Sequence, residues 1–294
     1  MSPYDERSLP AEIKSLGAIS RDGAKSEFSL VEQENDISSW NEVLAMLELP
    51  PSCKPLIVLA VGCVAYAFLL VIGSPHFSLL TAVVLFLLTG FFADLFTAVF
   101  HFGFDYIFPY SAPILGPIAR EFREHHEHPT LDPSNYTVNL TKGAYASLPL
   151  AIIGMAIGWR ENDSLGVFLA SGIITGMSFW ALFFHQIHAY AHMGSHLHPE
   201  EFNARVAEIS QLADQREQIR QFDQLFDTLP IPKMIRLLQR SRILLNPATH
   251  NLHHIKFESD FSSVNGWSDP FLNPLLRRIA RHYKEKESAK RSTS

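Results

Sequence analysis

Four long apolar runs constrain this chain more than any other feature of its sequence. They lie at 55–73, 77–104, 143–159 and 165–190, between polar ends at 1–50 and 193–294. About twenty apolar residues cross a bilayer as a helix, so each run predicts a span. The links at 73–76 and 160–164 are short, which pairs the runs into two helical hairpins. The predicted fold class is all-α: an integral, multi-pass membrane protein with four transmembrane helices as two hairpins and a histidine-rich helical cap. Of the 24 Lys and Arg residues, Arg160 alone lies in a hairpin turn. The positive-inside rule then predicts that both termini, the middle loop 105–142 and the cap face the cytoplasm. That membrane is the endoplasmic reticulum in a eukaryote or the inner membrane in a bacterium.

The polar parts divide the chain. Residues 1–50 read as an acidic, disordered N-terminus followed by an interfacial amphipathic helix. That helix opens on a capping box at Ser39, Trp40, Asn41 and Glu42 and ends at Pro50. The N-terminus lacks a basic stretch before an apolar core, which argues against a secretory signal peptide. The transmembrane domain is expected over 51–276. Inside it, Phe202, Val206, Ile209, Phe222 and Phe226 mark an inserted amphipathic helical segment at about 193–228. A basic amphipathic helix is expected at 233–245, and 277–294 reads as a basic tail. The net charge of −6 gives no sign of a nucleic-acid partner, and two cysteines, Cys53 and Cys63, supply neither a disulfide framework nor a thiolate metal site.

The 14 histidines are not scattered. His101 ends the second run with Asp105 four residues on. His125, His126 and His128 sit in FREHHEHPT; His188 and His192 end the fourth run; His250, His253 and His254 follow near the C-terminus. Residues at i and i+4 share a helix face, so these segments present stripes of ligands, and the predicted topology delivers them all to one side of the membrane. His101, His125, His126, His188, His192, His250, His253 and His254, with Asp105, are too many donors for one ion and about right for two. Imidazole suits Zn, Fe, Cu or Ni, and a redox metal accounts for so large a site beside a membrane. His185 and His128 stand between ligand and outer support. Asp94 is expected to accept from a ligand ring N–H. Arg120 and Arg123 read either as a lipid-phosphate contact or as a solvated loop. His76, His196, His198 and His282 are expected to be structural.

These stretches resemble the histidine boxes of the membrane di-iron lipid desaturases, the family that includes plasmanylethanolamine desaturases and a plant plastid palmitate desaturase. The resemblance rests on Asp94…His101-x-x-x-Asp105, on 113–116 running into FREHHEHPT, on Gln186-Ile187-His188-x-x-x-His192, and on His250-x-x-His253-His254 followed by Gly266-Trp267. It covers about 55–192 and 229–276. The family commonly has Asp where His128 stands, often has a further His after the Pro-Thr, and often has Pro-His where this chain has Phe257-Glu258. Residues 193–228 look like an insertion.

The resemblance implies a di-iron centre of two Fe ions, O2 as co-substrate, a membrane phospholipid substrate, and electrons from a partner such as cytochrome b5 or a ferredoxin. The chain itself has no dinucleotide fingerprint or haem-attachment motif. The first reading it implies is formation of the vinyl ether double bond of a plasmalogen from an alkyl ether phospholipid. The second is an acyl-chain desaturase or hydroxylase of a glycerolipid. A metal transporter or sensor would want ligands at mid-membrane depth rather than at one edge, and a catalytically dead scaffold would not need intact boxes.

Overall fold

The computed structural model describes residues 52–113, 115–127, 131–159 and 164–291. Among them every regular element is a helix: α1 (Lys54–Ile72), α2 (Leu79–Phe102), α3 (Leu115–Glu127), α4 (Tyr136–Gly158) and α5 (Leu165–Ala191), with a π-helical turn at Gly103–Ile107 after α2. The later elements are α6 (Met193–Leu197), α7 (Pro199–Ser210), α8 (Gln215–Asp227), α9 (Lys233–Arg240), α10 (Pro247–Lys256) and α11 (Asp269–Arg291). Helices α1, α4 and α5, and α2 with its π turn, are long and apolar enough to cross a membrane. A lipid-embedded segment must satisfy its backbone polar groups internally, which is why these runs are helical. The four-span, all-helical fold expected from the sequence is the one observed. The expected N-terminal interfacial helix and His128 lie outside the described residues.

Helix α5 packs against α1, α2 and α4. It can do so because its inner faces are small: Ser171, Gly172, Thr175, Gly176 and Ser178 are buried. Apolar side chains gain little from leaving lipid, so close backbone approach and the dispersion contacts it allows hold membrane helices together. Gly154 and Gly158 of α4 meet Thr175 and Ser171, while Gly172 and Gly176 meet Leu85 and Thr89 of α2. Opposite each inner stripe the helices are exposed, as at Val58, Leu59 and Leu69 of α1 and Leu79 and Leu80 of α2.

Several boundaries differ from the sequence reading. Helix α4 starts at Tyr136, seven residues before the expected run, because the polar residues of its first turns find partners. Asn139 donates to Asp132 O (3.0 Å) and Gln186 Oε1 (3.1 Å), and Thr141 Oγ1 accepts from Cys53 N–H (2.9 Å). Most of FREHHEHPT is not loop: it forms the end of α3, held by buried Ala119 and by Phe122 packed on Phe104. The single amphipathic helix read through 202–226 is two, α7 and α8, restarted where the Asp214 side chain accepts from Arg216 N–H (2.9 Å). The basic helix expected to 245 stops at Arg240, since Arg242 takes a positive φ and Leu244 and Leu245 turn inward against Ala93, Trp180 and Ile187. At the other end, α11 runs straight through 276/277, with Leu276 and Ala280 packed on Ala98, Phe102 and Phe261.

A Cβ at Gly143 would stand 2.1 Å from the Leu182 carbonyl oxygen, whereas one at Gly62 meets nothing within 4 Å. Gly143→Ala is therefore expected to force α4 and α5 apart and to destabilise the fold by about 1–3 kcal/mol. Gly62→Ala should leave stability unchanged or raise it by up to about 1 kcal/mol through helix propensity. Thermal melts of the two variants in one detergent check the contrast.

Candidate metal centre

Five segments deliver the candidate ligands to one end of the bundle. His101 lies in the last turn of α2, Asp105 in the π turn that follows, His125 and His126 at the end of α3, His188 and His192 at the end of α5, and His250, His253 and His254 on α10. They fall into two groups. His125, His188, His192, His250 and His254 form one, and His101, Asp105, His126 and His253 the other; within each, one candidate ligand atom per residue lies within 4.8 Å of all the rest. The groups adjoin, with the rings of His126 and His254 centred 4.5 Å apart.

In the first group the ring nitrogens converge. His188 Nε2 is 2.7 Å from His250 Nε2, which is 2.8 Å from His192 Nε2; His192 Nε2 is 3.1 Å from the Nε2 atoms of both His188 and His125. Donors bound at right angles to one ion, each about 2.0–2.1 Å from it, stand about 3 Å apart. In the second group His101 Nε2 and His126 Nε2 are 3.0 Å apart. The Asp105 carboxylate lies 3.6 Å from His101, 3.7 Å from His126 and 3.7 Å from His253. Both of its oxygens, His253 Nε2 and both ring nitrogens of His254 are buried without a hydrogen-bond partner among the described residues. Leaving so many polar atoms unmet in one place is costly, and cations between them remove the cost. The donor set, imidazole with one carboxylate, fits a divalent transition metal in each group.

Other contacts fix which nitrogen faces inward. His101 Nδ1 donates to Phe261 O (2.9 Å) and lies 3.1 Å from Ser263 Oγ; His253 Nδ1 donates to Ser259 O (2.8 Å). Each leaves its Nε2 lone pair for a metal. Burial pushes the imidazoles of His125 and His253 down to about 4, and holds those of His126, His192, His250 and His254 well below the ordinary value, with neighbouring imidazoles adding to the effect in these last four. Rings that resist protonation are rings ready to ligate.

The π turn gives Asp105 its place. Phe108 N–H reaches back to Gly103 O (2.9 Å), one residue beyond α-helical spacing. Arg123, from the same helix as His125 and His126, takes up the carbonyls this turn leaves open. Its Nε donates to Phe104 O (3.0 Å) and Asp105 O (3.1 Å), and its Nη2 to Phe108 O (3.0 Å). Arg123 is thus an internal clamp, not the lipid-phosphate contact or solvated residue read from sequence. Arg120 lies over the Tyr110 ring.

The structure brings all nine sequence-predicted ligands together. It leaves His185 outside both groups, with its ring against Phe184. Asp94 is a correction: it accepts from no ligand ring. Its carboxylate accepts instead from the backbone of 264–268, because that segment folds back against α2. Sequence reasoning missed Ser263 and the carbonyls of Ser259 and Phe261; backbone acceptors leave no signature in residue types.

The lipid desaturase domain family matches residues 90–217, a stretch running from before His101 to beyond His192. The chain is also similar to a plasmanylethanolamine desaturase of Myxococcus xanthus, 26% identical over 206 residues. That match covers 66% of this chain and 57% of the relative's length. No solved structure matches.

The depressed imidazoles set a pH dependence. His125 and His253 titrate near 4 when folded and near 6.5 when unfolded, so the unfolded chain takes up protons first as pH falls. The stability these groups contribute is present above about 6.5 and is lost as pH drops toward about 4. Protons compete with metal for the same lone pairs. Melting temperature and bound metal are expected to fall together across that window, and thermal melts paired with metal analysis check it; a flat profile refutes it.

Proposed function

We propose that this chain is a membrane lipid desaturase, like the family and the relative it is similar to, and that it is a di-iron, O2-dependent enzyme that forms the vinyl ether double bond of plasmalogens from an alkyl ether phospholipid. The observation that carries this reading is the pair of adjoining ligand groups at one end of the helix bundle. Two iron ions held there, one by His125, His188, His192, His250 and His254 and one by His101, Asp105, His126 and His253, would supply the O2-dependent oxidation that removes two hydrogens from neighbouring carbons. Electrons come from a partner such as cytochrome b5 or a ferredoxin.

Depth supports the choice of bond. From Leu79 to His101 helix α2 rises roughly 33 Å, against a hydrocarbon core of about 30 Å. The ligands therefore sit at the headgroup boundary. The first carbons of an alkyl chain, beside the ether oxygen, lie at that level; the middle of an acyl chain lies well below it. The positive-inside asymmetry supports a cytoplasmic location for this end of the bundle.

Residues of the chain do the rest. His101 and His253 are held through Nδ1 by carbonyls, which keeps the rings from turning. Phe104, Phe122, Phe257 and Phe261 surround the second group and keep water from it.

Expression in cells that contain alkyl ether phospholipids but no vinyl ethers is expected to produce vinyl ethers, read by lipid mass spectrometry. An acyl double bond or hydroxyl with no vinyl ether would replace this reading with the acyl one. The purified protein should carry two irons per chain; a single zinc without iron would sink the di-iron proposal. His253→Ala should lower product formation at least a hundredfold while membrane insertion persists.

A further inference from the structure

An ionisable side chain inside a membrane helix is functional by default, and Asp94 is fully buried in α2. Its role is readable from what it holds. One carboxylate oxygen accepts from the backbone N–H groups of Val264 (3.3 Å), Asn265 (2.9 Å) and Gly266 (3.0 Å). The other accepts from the Ser268 N–H (2.8 Å) and hydroxyl (2.8 Å). Gly266, at φ +80°, supplies the turn that lets these amides converge. The Asn265 side chain donates to Gly90 O (3.4 Å), and Trp267 Nε1 donates to Arg242 O (2.6 Å).

The segment so held, 257–268, has no helix or strand of its own to keep its shape. Its earlier part carries Phe261 O and Ser263 Oγ, the two partners of His101 Nδ1. Asp94 and His101 are seven residues apart, two turns along the same face of α2. One non-helical segment is thus pinned to one helix at two points: by a carboxylate at Asp94 and by a metal-facing imidazole at His101.

We propose that Asp94 is a positioning residue for the second ligand group. By fixing the 264–268 backbone it fixes the acceptors that orient His101, so the group of His101, Asp105, His126 and His253 depends on Asp94. The five-histidine group does not, because none of its members touches this segment through a ring nitrogen. The inference rests on the metal reading above.

The test is metal content and metal release in purified full-length protein loaded with Fe(II) anaerobically. Asp94→Asn keeps the shape, but its NH2 group faces N–H donors and cannot accept. Loss of an outer support to a ligand weakens metal binding roughly 10–100-fold. The variant is expected to lose one iron to a chelator about that much faster than wild type while retaining the other. Ser263→Ala, which spares the clamp and leaves Phe261 O in place, should move the same iron by a smaller factor. Two irons released from Asp94→Asn at wild-type rates would overturn the proposal, and so would equal acceleration of both. If Asp94→Asn is not recovered from membranes, Ser263→Ala decides, and wild-type release from it overturns the proposal. Wild-type protein that takes up no iron would instead refute the metal reading itself, before either variant is compared.

Discussion

Eight imidazoles and one carboxylate converge where most of them are closed off from solvent, and the surrounding structure depends on making that arrangement tolerable. Protonation cannot relieve it, since burial and mutual repulsion drive the rings outside the spans toward the neutral form. Hydrogen bonding relieves it only in part, because Asp105 and His254 have no partner among the described residues. Cations shared between the two groups would relieve the rest. A local motif could not supply such a set: one turn of helix presents at most two or three ligands. The chain therefore draws on five segments, and four rigid spans bring two of those segments to a common level.

Around the ligands lies a set of contacts whose function is geometric. Arg123 ties the π turn bearing Asp105 to the helix bearing His125 and His126. Ser259, Phe261 and Ser263 fix ring orientation at His253 and His101. On the far side of α10, the inserted helices supply Phe202, Val206, Ile209, Phe222 and Phe226 to a cluster that includes Ala248 and Leu252. Ala248 and Leu252 lie on the face opposite His250, His253 and His254, so the insertion braces the third histidine segment from behind. Arg236 and Arg240 join α9 to Asp223 and Asp227 of that insertion. These are partly exposed pairs, so their weight lies in registering α8 against α9 more than in stability.

The spans and the clustering of the histidines were legible because each leaves a mark in residue type. Twenty apolar residues in a row have few other uses, and histidines at i and i+4 on the ends of such runs point one way. Helix α3 was harder. Its apolar residues are few and Pro117 interrupts them, and its order comes from packing of Ala119 and Phe122. The π turn has no composition of its own; it is visible only through a hydrogen bond one residue too long. Asp94 stood out in the sequence as an ionisable residue in an apolar run but was illegible as to partner, because the groups it binds are backbone amides about 170 residues away. The break between α7 and α8 turned on a single capping aspartate in a stretch whose apolar spacing runs on across it.

Phe257 shows how the same constraints act on a residue where this chain departs from the desaturases it resembles. It ends α10 in the left-handed region, at φ 54°, a conformation that costs a non-glycine residue about 1–2 kcal/mol. Glycine would remove that cost, but it would also remove the ring, which packs against His126 and His253 at 4.9 and 6.2 Å between centroids. The backbone at this point is held from both sides: its N–H donates to His253 O (2.7 Å), and its carbonyl accepts from the Tyr106 hydroxyl. A strained aromatic is kept where an unstrained small residue would open the second ligand group to water. The strain is tolerated because the neighbours that impose it, His253 on α10 and Tyr106 in the π turn, are fixed by the ligand group that Phe257 covers.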